Sequence, residues 1–243
     1  MHASRSNLLL QGLVALHLVV ACAAPRAQDA AGHVATAERL VRQVSLDDTG
    51  YEHGPGSVVW EGRVSVRTDC SGLIDQLLMH DDGYTPDDFK RWFGSRRPTA
   101  ARYHDAMAEG RGFARVDRVA DIRPGDLIAI KYLTRKDNTG HIMLVAEAPR
   151  RLGRLPPVVD GTEQWEVTVI DSSESGHGPT DTRHKRGADG RDHDGLGRGV
   201  FRLYALSDGS VEGFAWSTSK ASRHVGPEDE HLLVGRLIPG YRP

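Results

Sequence analysis

The sequence predicts an α+β domain in which N-terminal helices pack on an antiparallel β-sheet, and three observations predict it. Apolar residues recur at helical spacing through the first half of the chain and alternate at strand spacing through the second. An Arg123-Pro124-Gly125-Asp126 turn marks the change. Helices first and strands afterwards indicate segregated layers rather than alternating βαβ units. The 243 residues suffice for a sizeable core and no linker divides them, so one domain is predicted over 30–243. At 39% hydrophobic and 26% charged, the chain is neither disordered nor fibrous, and its 27 Gly and 12 Pro forecast many loops. A formal net charge of −2 offers no basic field, which argues against a nucleic-acid partner.

The first segment, residues 1–24, reads as an export signal. Arg5 supplies positive charge, and Leu8 to Ala24 is apolar apart from Gln11 and His17. The run is short for a membrane span of roughly 20 consecutive apolar residues. It closes on Val19-Val20-Ala21-Cys22, which resembles a bacterial lipobox with Cys22 as the lipid-modified residue. Ala21-Cys22-Ala23 fits ordinary cleavage after Ala23 equally well. Either way the expected location is the periplasm or cell envelope, with a lipid anchor through Cys22 in the first case.

From Ala30 to Val44, Val34, Ala37, Leu40, Val41 and Val44 predict an amphipathic helix. Residues 47–67 read as Gly-rich and irregular, with one short strand at Val58 to Trp60. Asp69 then suits a helix cap, and Leu73, Ile74, Leu77 and Leu78 share the face of the helix that follows. Residues 86–109 read as helical. Strands are predicted at Leu127–Leu133, His141–Glu147, Glu166–Ile170, Val200–Leu206, Val211–Trp216 and Leu232–Ile238, with a long polar loop over 172–199.

Two cysteines occur in the chain, and in an exported protein an unpaired thiol calls for a reason. Cys70 falls in the first turn of the predicted helix, where unpaired N–H groups and the helix dipole favour a thiolate. Gly72 keeps that turn slim, and the Cys70 N–H is a natural oxyanion donor. Gly140-His141-Ile142-Met143-Leu144-Val145 places an imidazole at the start of an apolar strand, where it can serve as base to a helix-borne thiol. Asp171, directly after the Glu166–Ile170 strand, is the candidate to orient that imidazole. His177 and the polar residues near Asn138 are alternatives for this third role.

Thr68-Asp69-Cys70-Ser71-Gly72-Leu73, Arg123-Pro124-Gly125-Asp126-Leu127-Ile128 and Gly140-His141-Ile142-Met143-Leu144-Val145 together resemble the three signature segments of NlpC/P60 cell-wall hydrolases, in order and spacing. The resemblance covers roughly residues 47–175. It implies a papain-like fold and cleavage of amide bonds in peptidoglycan stem peptides. Cys70 then takes the nucleophile's place and His141 the base's, with no cofactor and no metal. The family's third residue is commonly His, Asn or Gln, whereas Asp171 stands here. Tyr51 and Asp69 match positions that hold the free amine of a stem peptide, and Ser71 and His177 are expected beside the substrate.

The tract after Asp171 has no counterpart in a minimal member of that family. Starting at the presumed active strand, it is expected to wall the cleft, with Arg183 and Arg198 available to an acidic peptide. His177, His184, His193 and Asp194 match no zinc spacing. Two rivals share this scaffold: a papain-like acyltransferase, and a catalytically silent envelope-binding lipoprotein.

Overall fold

A computed structural model of the protein describes residues 32–135, 138–184 and 192–243. The expected signal segment and Cys22 lie outside these residues. Val34, Ala37 and Leu40 form the buried face of α1 (Gly32–Gln43), as their spacing requires. The supposedly irregular stretch after it forms a small sheet of β1 (Thr49–Tyr51), β2 (Ser57–Val59) and β3 (Ser65–Thr68), in the order β1-β3-β2. Strands of three or four residues are too short for alternation to register in sequence.

Helix α2 (Cys70–Asp82) begins where Asp69 accepts a hydrogen bond from the Gly72 N–H at 2.8 Å, which satisfies one of the orphan donors of the first turn. Its buried face is Leu73, Ile74, Leu77 and Leu78. The helical region expected over 86–109 is two helices, α3 (Pro86–Phe93) and α4 (Ala100–Ala108). Thr85 and Asp88 open α3 with a reciprocal capping box. Gly94 ends α3 in the left-handed conformation with its N–H on the Lys90 carbonyl, and Pro98 disfavours helical backbone at Arg97, which accounts for the break.

The predicted strands all form, within a few residues of the expected bounds. With three short additions they are β4 (Phe113–Arg115), β5 (Leu127–Tyr132), β6 (Gly140–Val145), β7 (Arg150–Arg151), β8 (Glu163–Ser173), β9 (Gly195–Ala205), β10 (Val211–Ala215) and β11 (Glu230–Leu237). The additions are β4, β7 and the N-terminal half of β9. The sheet runs β10-β9-β8-β6-β5-β11-β4, antiparallel throughout, with β7 paired to β8. Its outer strands approach each other where Arg118 bridges Ser210 and the Val119 N–H reaches the Gly209 carbonyl at 2.9 Å, so the sheet curls like a barrel. The chain is therefore α+β, with helices on one side of a large antiparallel sheet.

Alternation along the strands divides the interior in two. Leu127, Ala129, Ile142, Leu144 and Ile170 face the helices, among them Leu73 and Leu77 of α2. Ile128, Ile130, Met143, Val145, Val167, Val169, Phe201 and Phe214 fill the inside of the curl. Leu73 is fully buried at the contact between α2 and the sheet. Leu73→Ala is expected to destabilise the fold by about 2–5 kcal/mol in urea denaturation, because the lost methyl groups leave a cavity in a packed layer.

The long loop expected over 172–199 is entered by strand at both ends. Ser172 and Ser173 end β8, Gly195 to Gly199 begin β9, and the two pair in register with Asp171 opposite Gly197. No helix among the described residues is long and apolar enough to cross a membrane.

Candidate active site

Two strand rows and one helix start converge at the rim of the curled sheet. His141 extends the inward row of Met143 and Val145 on β6, and Asp171 extends that of Val167 and Val169 on β8. Cys70 is the first residue of α2 and is 6% exposed. A hydrogen bond from Ser172 Oγ to the Thr68 carbonyl, 2.6 Å long and buried, ties the end of β8 to the approach to that helix. Thus the strand carrying Asp171 and the helix carrying Cys70 are held together by adjacent residues.

His141 lies between them. Its Nε2–H donates to Asp171 Oδ2 at 2.6 Å, and the Cys70 side chain interacts with the same ring, which leaves Nδ1 for the sulfur. Burial opposes a charge on this imidazole. The electrostatic influence of the Cys70 side chain and the bond to Asp171 outweigh that penalty and push its pKa up to about 10. The edge of Trp216 closes one side of the ring, with centroids 5.5 Å apart. The geometry is that of a thiol, a base and a carboxylate in line.

Asp171 is fully buried and belongs to a wider network. Its Oδ1 accepts from Arg183 Nη2 at 2.8 Å, and its Oδ2 also accepts from His177 Nε2 at 2.8 Å. Arg183 is 1% exposed and donates as well to both oxygens of Asp181, at 2.8 and 2.7 Å. Burial alone would raise the Asp171 pKa, but the Arg183 guanidinium holds it well below the usual carboxylate range. Space for these side chains comes from β9, where a Cβ on Gly197 would lie 2.2 Å from Arg183 and one on Gly199 would lie 2.2 Å from Asp181.

A pH dependence of stability follows. The folded pKa values of Asp171 and Asp181 lie below their unfolded values, so their contribution is complete above the unfolded value near 3.9 and is lost as pH falls below it. His141 works in the other direction. Its raised pKa contributes fully below about 6.5, and that contribution is lost as pH rises toward 10. Urea midpoints are therefore expected to fall at both ends of a pH series, steeply below about pH 4.

Several expected roles change. His177, anticipated beside the substrate, is 3% exposed and uses both ring nitrogens internally: Nε2 on Asp171, and Nδ1 on the Trp216 carbonyl at 2.8 Å. Arg183 is enclosed rather than offered to a substrate. Arg198 is paired with Glu38 and Glu147. Asp69 Oδ1 is occupied by the Gly72 N–H and by Ser71 Oγ at 3.4 Å, and its Oδ2 by Arg97 and, at 3.4 Å, by His53. It is a helix cap in an ion pair, which leaves little of it for a substrate amine. Tyr51, on β1, is half-buried with its ring edge-on to His53 at 5.1 Å. Burial and the nearby Cys70 and Asp69 raise its pKa, so it remains a neutral phenol.

Sequence reasoning missed Arg97, His53, Asp181 and Trp216. Arg97, His53 and Trp216 reach the site through contacts between residues 16 to 39 positions apart, and Asp181 through short-range bonds to His177 and Arg183 in a tract without periodicity.

Ligand atoms of His141, Asp171 and His177 lie within 4.8 Å of one another, which raises the question of a metal. Two donors held tetrahedrally at zinc distances sit about 3.3 Å apart. The 2.6 and 2.8 Å separations here are those of shared protons, and the Arg183 guanidinium already neutralises the carboxylate. These residues fit a hydrogen-bonded chain and not a cation cradle. His184, another histidine of the tract, pairs with Asp192 at 3.1 Å.

Among curated proteins, one from Acanthamoeba polyphaga mimivirus, described as an uncharacterized protein, is 34% identical over 204 residues. The match covers 78% of this chain and 88% of the viral protein. No family model matches the chain, and no solved structure matches it.

Proposed function

The chain belongs to one family with the mimivirus protein, and from its own site we propose that it is a cysteine hydrolase of the papain-like NlpC/P60 type, cleaving amide bonds. The observation that carries this reading is the placement of His141 between a thiol at a helix start and a buried, ionised carboxylate. The three sequence segments around Cys70, Arg123 and His141 support the choice of family and of peptidoglycan stem peptides as substrate. Export, with Cys22 as a lipid anchor, fits the same substrate.

In this mechanism the Cys70 thiolate attacks the scissile carbonyl carbon. The Cys70 N–H, at the first position of α2, has no acceptor within the helix and donates to the oxyanion. His141 passes its proton to the nitrogen of the breaking C–N bond, and the amine leaves a thioester on sulfur. Water then attacks that carbonyl as His141 takes its proton, and cleavage of the C–S bond releases the acid and restores the thiolate. Asp171 holds the ring in the orientation that both transfers require.

The test is incubation of the protein with peptidoglycan fragments beside a Cys70→Ala control. New amines and carboxyls with the active protein alone would support hydrolysis. Their absence with every fragment would remove this substrate.

A further inference from the structure

His177 is the second imidazole on the carboxylate that orients His141, and it takes no direct part in the steps above. Three observations mark it as more than packing. It shares Asp171 Oδ2 with His141, at 2.8 Å against 2.6 Å, and the two rings are 6.3 Å apart. Its other nitrogen faces the Trp216 carbonyl at 2.8 Å, so both ring nitrogens meet acceptors. Its backbone N–H is fixed by Asp181 Oδ2 at 2.8 Å, and its ring stacks on Trp216 and meets the edge of Phe201.

The consequence concerns the proton on His141. A base that also serves as acid must release its proton to the leaving nitrogen, and an unshared buried carboxylate would hold that proton too firmly. We propose that His177 is a positioning residue acting through Asp171: by sharing Oδ2 it fixes the carboxylate and draws off part of its charge, so that His141 can give up its proton. This rests on the reading of Cys70 and His141 as the reacting pair. The charged groups facing His177 are Asp171 on β8 and Asp181 and Arg183 on the connection to β9. Those facing His141 are Cys70 on α2, Asp171, His177 and, more distantly, Glu230 on β11.

The experiment follows alkylation of Cys70 by iodoacetamide against pH in wild type, His141→Gln, His177→Gln and His177→Phe. The Gln variant keeps a donor, whereas the Phe variant removes the donor and keeps the stacking. Thermal melting checks folding. In wild type, a step in the rate at alkaline pH reports proton loss from His141. With His177 replaced by Phe, that step is expected to move to higher pH by about half to one unit, because Asp171 loses the donor that shares Oδ2 and holds the His141 proton more firmly. Turnover of peptidoglycan fragments should fall in kcat more than KM changes. A step that stays at the wild-type pH in both folded His177 variants would overturn the proposal and leave His177 a packing residue. A different result marks failure of the underlying reading: if wild type and His141→Gln react alike, the two residues are not a pair, and the role of His177 falls with it.

Discussion

His141→Gln is expected to lower hydrolysis by about 10^3-fold or more while leaving the fold intact, since the base of such a pair supplies at least that much and the remaining groups act as a unit with it. Gln has nearly the reach of the imidazole and can still donate to Asp171, so the buried carboxylate keeps a partner. What it cannot do is accept the thiol proton. The loss should appear in kcat rather than in KM, because His141 is 6% exposed behind Cys70 and Trp216 and has little surface to offer a bound substrate. Steady-state kinetics with a cleavable peptidoglycan fragment, alongside circular dichroism of the variant, make the check. Equal kcat values in the two proteins would remove His141 from the chemistry.

Arg183→Met is expected to cost about 3–5 kcal/mol of stability, by the rule for breaking a buried ion pair from one side. Arg183 is the sole cation contacting both Asp171 and Asp181 among the described residues, and it also donates to the Gly195 carbonyl at 3.1 Å. Removing it leaves Asp181 enclosed without a counter-charge and Asp171 with only the His141 imidazolium beside it. For a chain of this length the melting temperature should drop by about 10 °C. Arg198→Met is the control. Arg198 is partly exposed and salt-bridged to Glu38 and Glu147, so its loss should cost under about 1 kcal/mol. The sign of the pH dependence adds a second test. Without Arg183, burial raises the pKa values of Asp171 and Asp181, so both take up protons more readily in the variant. The gap between variant and wild type should narrow as pH falls toward 4.

The parts of the site that were legible in the sequence stand at the ends of regular elements. Cys70 follows a capping Asp69, His141 opens an apolar strand, and Asp171, expected just after a strand, continues the alternating row of Val167 and Val169 two residues before β8 ends. The surrounding charges were not legible for a physical reason. Arg183 meets Asp171 only because β8 and β9 pair with Asp171 opposite Gly197, and register between two strands is a property of the folded chain. The Gly195-Leu196-Gly197-Arg198-Gly199 run reads as loop because it lacks apolar alternation. It is a strand with one face left bare, and Arg183 and Asp181 occupy that space. Arg97 was equally hidden: it lies 28 positions from the Asp69 it pairs with, beyond the reach of helical or strand periodicity.

The claim at the centre of the account is that an acyl group passes through the sulfur of Cys70. Its most direct test is intact mass measurement after acid quenching of the protein with a peptidoglycan fragment, in a Cys22→Ser background so that Cys70 is the only thiol. The account predicts a mass increase equal to the acyl portion of the fragment, removed by hydroxylamine and absent from Cys70→Ala. Undiminished turnover of the same fragment by Cys70→Ala would contradict it.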